Sequence, residues 1–137
     1  MVAGYSGTPL AKKLGMKENH RVCLLGEPDG FRDQLLDTPP GVSFFTRLPK
    51  DPDVVIAFAT ERRRLEEMIV KSSQPIFPDG SLWAAWPKKA SKVPTDITED
   101  TVREIALPIG LVDNKVCAID ATWSGLRVVW RKELRSR

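Results

Sequence analysis

The chain contains few residues of the kinds that build metal and redox sites. Among its 137 residues are two cysteines and one histidine. Cys23 and Cys117 belong to no CxxC pair and to no Cys/His cluster, which argues against a structural zinc site. Both cysteines lie inside apolar runs, where we expect small buried thiols. His20 directly precedes the first predicted strand, and we assign it no chemical role.

Long apolar runs and a strong excess of one charge are also missing. No segment approaches the roughly 20 apolar residues of a membrane-spanning helix, and residues 1–15 contain no apolar signal core before their lysines. We therefore expect a cytoplasmic protein without membrane contact. The 21 basic and 18 acidic side chains leave a net charge of +3, which is too small to indicate nucleic-acid binding by itself.

Several well-known catalytic motifs do not occur in the sequence. These are the phosphate-binding pattern GxxxxGK[ST], the metalloprotease pattern HExxH and the hydrolase pattern GxSxG. Glu27, Asp29 and Glu61 could supply a carboxylate pair for acid–base work, but the sequence does not set their separation. Helix capping and solvation are the simpler interpretation of these acids. We therefore assign no catalytic residue and no metal ligand.

The sequence does contain the pattern of a globular α/β domain. Apolar residues make up 42% and charged residues 28%, as in ordinary folded domains. We expect one domain over residues 1–137, with a flexible N-terminal arm over about 1–8 and a polar tail over about 132–137. Apolar runs bounded by turn residues predict strands at 21–26, 42–46, 53–60, 81–86, 115–120 and 126–131. Helical spacing and helix-end signals predict helices at 9–14, 31–37, 61–73 and from 97.

The last of these helices has the clearest start signal. Asp96 followed three residues later by Glu99 is a capping-box pattern. Glu99 and Asp100 would lie in the first turn, where a negative charge stabilises a helix by about 0.3 to 1 kcal/mol. This explains the acids after residue 95 without a functional role.

The short connection between the second and third strands predicts the strand order. Only six residues, 47–52, join them, whereas adjacent parallel strands need about a dozen or more. The first strand can lie between them, which gives the order two-one-three of doubly wound sheets. We therefore predict an α/β, three-layer, Rossmann-like fold with a mostly parallel sheet of about six strands and a C-terminal antiparallel hairpin. If that hairpin forms a sheet edge, it could pair between chains in a homo-oligomer.

Open α/β sheets bind ligands beyond the carboxyl ends of their strands, near the point where the strand order reverses. This rule selects loops rather than a motif. The candidate ligand-binding residues at that edge are Gly26, Glu27, Gly30, Thr60, Trp86, Lys88, Lys89, Lys92 and Trp123.

The lysines and tryptophans of this set each have a second interpretation. Lys88, Lys89 and Lys92 could form an anion site beside a helix N-terminus. They could equally be solvated side chains that offset the following acids. Trp86 and Trp123 could stack on a flat ligand, or pack at the rim of the core.

Three segments resemble class I methyltransferases. RVCLLGEPDG resembles their first strand and loop, DVVIAF their middle strand, and FPDGSLWAAWPK the turn and strand that follow; the closing hairpin also matches. The resemblance implies a site for S-adenosylmethionine. The chain departs from the family in two places, because Glu27, Pro28 and Asp29 replace the GxGxG spacing and the second strand ends in Thr46-Arg47 without an acid for the ribose. We therefore regard S-adenosylmethionine as a disfavoured cofactor.

The chain also resembles the bacterial family called domain of unknown function 3052. The residues that carry this resemblance are GYSGTPLAKKLG at 4–15, WPKKASKVPTDITED at 86–100 and GLVDNKVCAIDATWSGLR at 110–127. The resemblance spans nearly the whole chain and implies no activity.

From these features we expect a non-catalytic binding or regulatory module. It would bind a small anionic molecule or a protein partner at the carboxyl edge of the sheet. The alternative is a divergent S-adenosylmethionine-dependent methyltransferase. A third hypothesis is a weak nucleic-acid binder, which the small net charge makes the least favoured.

Overall fold

The computed structural model describes residues 8–135, which form a six-stranded sheet with helices on both faces. The predicted N-terminal arm therefore lies outside the described residues except for Thr8. The strands are β1 (Arg21–Leu25), β2 (Ser43–Phe45), β3 (Val54–Phe58), β4 (Ser81–Pro87), β5 (Leu111–Ala118) and β6 (Trp123–Trp130). The α-helices are α1 (Leu10–Lys13), α2 (Arg62–Ser73) and α3 (Glu99–Ile109). Short 3-10 helices cover Phe31–Gln34, Lys89–Ser91 and Lys132–Leu134.

The strand order is β2-β1-β3-β4-β6-β5, which confirms the predicted fold. The first strand lies between the second and the third, and the four strands β2, β1, β3 and β4 are parallel. Strand β6 runs antiparallel to both β4 and β5. The strand order reverses between β1 and β3, which places the expected ligand crevice beyond their carboxyl ends.

Two apolar clusters hold the helices on opposite faces of the sheet. Strand β3 is buried throughout, and its side chains alternate between the faces. Val55 and Ala57 pack under α2 and α3, whereas Ile56 packs on the side of α1. Trp83 of β4 is completely buried on the α1 side, where its indole N–H donates to the carbonyl of Leu14 at 2.9 Å. The continuous apolar runs in the sequence thus reflect burial on both faces.

Three of the predicted elements differ in the structure. The helix predicted at 31–37 is a single 3-10 turn over Phe31–Gln34. The Thr38 hydroxyl donates a hydrogen bond to the carbonyl of Leu35, and two prolines follow, so the helix does not continue. The strand predicted at 115–120 begins at Leu111, directly after Gly110 ends α3 in a left-handed conformation. The strand predicted at 126–131 begins at Trp123, so residues 119–122 form the turn of the hairpin.

The N-terminus of α3 is capped differently from the prediction. Its cap is Thr98, whose side chain accepts from the backbone N–H of Thr101, and the Thr101 hydroxyl accepts from the N–H of Thr98. Asp96 instead accepts from the backbone N–H of Arg62 at the start of α2. The prediction of Asp96 and Glu99 as a capping box was therefore wrong.

Candidate functional site

The loop after β1 makes a tight turn against β3 at the reversal of the strand order. Gly26 has φ +65°, a conformation that glycine adopts without steric cost. A Cβ atom at this position would lie 2.8 Å from the backbone oxygen of Phe58 and 3.2 Å from Cε of Met68. Only a glycine lets the chain leave β1 this close to the end of β3.

The rest of this loop is half-buried at Glu27 and Pro28 and exposed at Asp29 and Gly30, where it leaves space beside its backbone. Gly30 has φ +80°, and a Cβ there would meet no atom within 4 Å. Glu27 forms a bidentate ion pair with Arg32, with 3.0 Å from Nε to Oε1 and 3.0 Å from Nη2 to Oε2. The carboxylate of Glu27 thus has a fixed orientation inside the loop.

The carboxyl end of β2 is basic rather than acidic. Arg47 follows this strand at an exposed position. The guanidinium of Arg32 lies over the ring of Phe44, 5.5 Å from its centroid. As the sequence indicated, the residues directly after this strand, 46–50, include no acid, and Arg32 pairs with Glu27 of the β1 loop.

Three aromatic rings stack in series on the α1 side of the carboxyl edge. The centroids of Phe31 and Phe58 are 4.9 Å apart, and those of Phe58 and Trp123 are 5.2 Å apart, both pairs edge to face. Phe31 is completely buried. Sequence reasoning selected Trp123 but missed both phenylalanines, since each is an ordinary apolar residue in its local pattern.

A side-chain hydrogen bond joins the 3-10 helix that follows the β1 loop to the hairpin turn. The amide of Gln34 donates to Oδ2 of Asp120 at 3.1 Å. The other carboxylate oxygen of Asp120 accepts from the backbone N–H groups of Thr122 and Trp123, both at 2.8 Å. Asp120 therefore shapes the turn and ties it to this 3-10 helix.

Thr60 and Trp86 occupy different environments at the ends of β3 and β4. Thr60 is half-buried, and its carbonyl accepts from the hydroxyl of Thr95 at 2.6 Å. Trp86 is 7% exposed and packs in the core beneath α2 and α3. Its ring therefore matches the core-rim interpretation and does not face the crevice.

The three lysines predicted as an anion site do not share one environment. Lys88 is half-buried, and its backbone N–H donates to the carbonyl of Thr122 at 2.7 Å, while Lys89 and Lys92 are exposed. The acids that follow them in sequence bind elsewhere, because Asp96 caps α2 and both Glu99 and Asp100 pair with Arg103. The interpretation that these acids neutralise the lysines is not supported by the ion pairs among residues 8–135.

The structure brings Lys88 close to two other lysines that the sequence did not single out. Lys13, Lys115 and Lys88 lie close enough to the half-buried thiol of Cys117 for their charges to act on it. Burial raises the pKa of Cys117, and the positive charges of the three lysines lower it in part. Lys115 and Cys117 lie two residues apart on β5 and so share a face of the sheet. This grouping depends on the fold, because Lys13 is more than a hundred positions from Lys115.

A wide depression of about 840 Å³ lies elsewhere, on the outer face of α2. Its lining combines both signs of charge with one exposed valine. The lining residues are Arg62, Arg63, Glu66, Glu67, Val70, Lys71 and Asp96. It belongs to the outer helix layer and not to the β1 loop.

Neither a metal site nor a membrane helix is found among residues 8–135. No group of three or more His, Cys, Asp or Glu side chains in this range could hold a metal ion. None of the helices in the described range is long and apolar enough to cross a membrane.

Comparison with known proteins identifies the fold. No family model matches the chain, and no curated protein matches it. Among solved structures it is similar to a methyltransferase dependent on S-adenosylmethionine from Aquifex aeolicus, with a TM-score of 0.60 and 15% identity over 85% of each chain. It is also similar to fibrillarin from Aeropyrum pernix with natively bound S-adenosylmethionine, with a TM-score of 0.58 and 14% identity over 88% of this chain and 73% of that one.

A third similar structure is the magnesium protoporphyrin IX methyltransferase of Synechocystis with bound S-adenosylmethionine. The TM-score is 0.57, with 14% identity over 89% of this chain and 74% of that one. At these identities the likeness shows the fold, which is Rossmann-like and that of class I methyltransferases.

These comparisons correct the function expected from the sequence. We predicted a non-catalytic binding module and kept a divergent methyltransferase as the alternative. The main expectation was wrong, because methyltransferases match this chain over most of its length, and two of those structures contain S-adenosylmethionine. The findings support the alternative.

Proposed function

We propose that this chain is an S-adenosylmethionine-dependent methyltransferase that binds its cofactor beyond the carboxyl ends of β1 and β3. One observation carries the proposal, namely the position and shape of the loop after β1. This loop turns at Gly26, lies at the reversal of the strand order and contacts the end of β3, and it leaves open space beside Gly30. The rule for open α/β sheets selects this crevice independently of any motif. The similarity to methyltransferase structures supports the same assignment.

The loop residues fit S-adenosylmethionine in three respects. Gly26 brings the backbone close to β3, and the free space at Gly30 leaves room for a ligand beside the main chain. Glu27 offers carboxylate oxygens to the hydroxyl and ammonium groups of such a ligand. The half-buried Thr60 ends the opposite wall of the crevice. The site differs from the usual pattern at β2, where no acid follows the strand, so we assign the acidic contact to Glu27.

S-adenosylmethionine would supply an activated methyl group on its sulfonium when bound. The protein would mainly hold the cofactor in position and exclude water from the site. The pair of Glu27 and Arg32 holds one polar contact in place. The stacked rings of Phe31, Phe58 and Trp123 would keep water from the crevice floor, and the bond from Gln34 to Asp120 fixes the hairpin turn. Fixed geometry of this kind is an established source of rate enhancement.

Isothermal titration calorimetry with S-adenosylmethionine and S-adenosylhomocysteine tests this function. We expect the wild-type chain to bind both. Gly30→Ala should weaken both affinities at least about tenfold, which is about 1.4 kcal/mol, because its methyl group enters the space left for the ligand. Gly15→Ala is a matched control, since Gly15 has φ +85° and equally open surroundings at the end of α1.

Two results would contradict the proposal. One is the absence of binding of either compound by the wild-type chain at millimolar concentration. The other is an equal effect of Gly30→Ala and Gly15→Ala on affinity, which would remove the β1 loop from the site.

We also keep two expectations as proposals, namely membership of the family called domain of unknown function 3052 and a cytoplasmic location.

A further inference from the structure

Four basic side chains line the α1 side of the hairpin, from the middle of strands β5 and β6 to the carboxyl end of β4. They are Lys13, Lys88, Lys115 and Arg127, and we call them the basic cluster. Lys115 and Arg127 are direct partners in the antiparallel ladder, so their side chains stand next to each other on the same face. Gly125, two residues before Arg127, faces Trp83 and Ile119 of the cluster beneath α1, which identifies that face.

Contacts with the backbone hold two of these lysines in place. Nζ of Lys13 donates to the carbonyl of Ala118 at 3.4 Å, and Nζ of Lys115 donates to the carbonyl of Lys13 at 3.4 Å. Lys88 enters from the end of β4, whose backbone bonds to Thr122 in the hairpin turn. The cluster thus joins α1, the end of β4 and both strands of the hairpin.

The positive charges of the basic cluster have no acidic partner among residues 8–135. The ion pairs in this range involve Arg32, Arg62, Arg64 and Arg103, and none involves a member of the cluster. Asp113 pairs with Arg103, and Asp120 bonds to Gln34 and to backbone N–H groups. Like charges directly opposite on paired strands are destabilising, so this arrangement lowers stability unless an anion binds.

Arg127 provides a second and independent sign of a missing ligand. Its Nε atom is buried and has no hydrogen-bond partner among the described residues. A buried donor without a partner is destabilising, and more so when the group is charged. Burial and the nearby charge of Arg135 also lower the pKa of Arg127. An anion beside this guanidinium would accept the unused hydrogen bond.

We propose that the basic cluster binds the phosphate group of a small, phosphate-bearing methyl acceptor. A guanidinium with several ammonium groups suits a multiply charged, many-oxygen anion better than a single carboxylate. Lys13, Lys88 and Arg127 are half-buried, which suits a small molecule better than an extended polymer lying on an open surface. The identity of the ligand as the acceptor rests on the proposed methyltransferase function.

The position of the basic cluster fits a second substrate beside the cofactor. Lys88 and Cys117 lie at the carboxyl ends of β4 and β5, whereas the β1 loop lies at the reversal between β1 and β3. The rings of Phe58 and Trp123 lie between the two regions, since Phe58 ends β3 and Trp123 begins β6. Two ligands could therefore approach the same edge from opposite sides of this aromatic pair.

Calorimetry with pyrophosphate as the probe tests the anion site. We expect the wild-type chain to bind pyrophosphate, and to bind citrate more weakly. Lys115→Gln and Lys13→Gln should each weaken pyrophosphate binding about tenfold, or about 1.4 kcal/mol. Lys71→Gln, an exposed lysine on the outer face of α2, should change the affinity less than twofold. S-adenosylmethionine affinity should be equal in all four proteins, which shows that the variants are folded and that their cofactor site is intact.

Several outcomes would contradict the inference, and they differ from the outcomes that would contradict the proposed function. Absence of pyrophosphate binding, or equal loss in Lys71→Gln and Lys115→Gln, removes the anion site. Binding of citrate as tight as that of pyrophosphate removes the preference for phosphate. If the chain binds a single-stranded oligonucleotide but not pyrophosphate, the ligand of the basic cluster is a polymer and not a small acceptor. Pyrophosphate binding without S-adenosylmethionine binding removes the acceptor role, because then the proposed function itself fails.

Discussion

The carboxylate of Asp96 accepts a hydrogen bond of 2.7 Å from the backbone N–H of Arg62 and so caps a helix that begins 34 positions earlier in the chain. Helix α2 has no cap from its own N-cap residue, since the side chain of Glu61 makes no capping hydrogen bond. The loop between β4 and α3 thereby fixes the start of α2, directly after the end of β3. This contact steadies one wall of the proposed cofactor crevice.

Replacing Asp96 should therefore destabilise a helix to which it does not belong. We expect Asp96→Ala to lower the free energy of unfolding by about 0.5 to 2 kcal/mol, the usual cost of losing a helix cap. Glu66→Ala, at an exposed position of α2, should change it by less than about 0.5 kcal/mol. Urea denaturation measures both. Equal values for the two variants would show that the hydrogen bond to Arg62 adds nothing to stability.

Asp96 also illustrates what the sequence could and could not predict. Local spacing assigned it to the start of α3, whereas it caps α2, because the choice between the two helices depends on which helix end is near in space. The strand order was predictable, since the short connection of residues 47–52 excludes neighbouring parallel strands. The basic cluster was not, because Lys13 meets Lys115 only through the packing of α1 on the sheet. Phe31 and Phe58 were recognisable as core residues, but their stacking with Trp123 follows from the folded turn.

Gly26 should tolerate a methyl group much less well than Gly15. Both residues have positive φ, so alanine at either position costs about 1 to 2 kcal/mol of backbone energy. At Gly26 the new atom would also contact the backbone of Phe58, which adds about 1 to 3 kcal/mol as for other overpacked sites. Thermal and urea unfolding of Gly26→Ala and Gly15→Ala measure the difference. A similar loss in both variants would mean that the loop after β1 can move away from β3.

The reactivity of Cys117 should report on the basic cluster. Burial raises the pKa of this thiol, and Lys13, Lys115 and Lys88 lower it, so removing a lysine charge raises it further. Because the thiolate is the reactive form, Lys115→Gln should shift the pH profile of alkylation by iodoacetamide to higher pH and slow the reaction at pH values below the pKa. Cys23 is completely buried and its pKa is raised to about 11, so it should react more slowly.

Mass spectrometry of the alkylated protein separates the two cysteines. Lys71→Gln is the control and should leave the profile of Cys117 unchanged, since Lys71 lies on the outer face of α2. A shift to lower pH in Lys115→Gln, or no shift at all, would contradict the placement of this ammonium group beside the thiol. Saturating pyrophosphate should also slow alkylation of Cys117 in the wild-type chain, because the anion offsets the lysine charges.

Two buried tryptophans offer a matched test of how α1 contributes to the basic cluster. The indole of Trp83 donates to the carbonyl of Leu14 just after α1, and the indole of Trp130 donates to the carbonyl of Ser73 at the end of α2. The distances are 2.9 and 2.8 Å, and the two bonds lie on opposite faces of the sheet. Replacing either residue with phenylalanine should lower the free energy of unfolding by about 1 to 3 kcal/mol, because a buried carbonyl loses its donor.

Only one of the two substitutions should affect anion binding. Trp83→Phe loosens the end of α1, which carries Lys13, so we expect weaker pyrophosphate binding and unchanged S-adenosylmethionine binding. Trp130→Phe should leave both affinities unchanged at a similar loss of stability. Calorimetry at a temperature where both variants are folded makes the comparison. If the two variants lose pyrophosphate affinity equally, general destabilisation accounts for the loss, and the docking of α1 on Trp83 does not position the anion site.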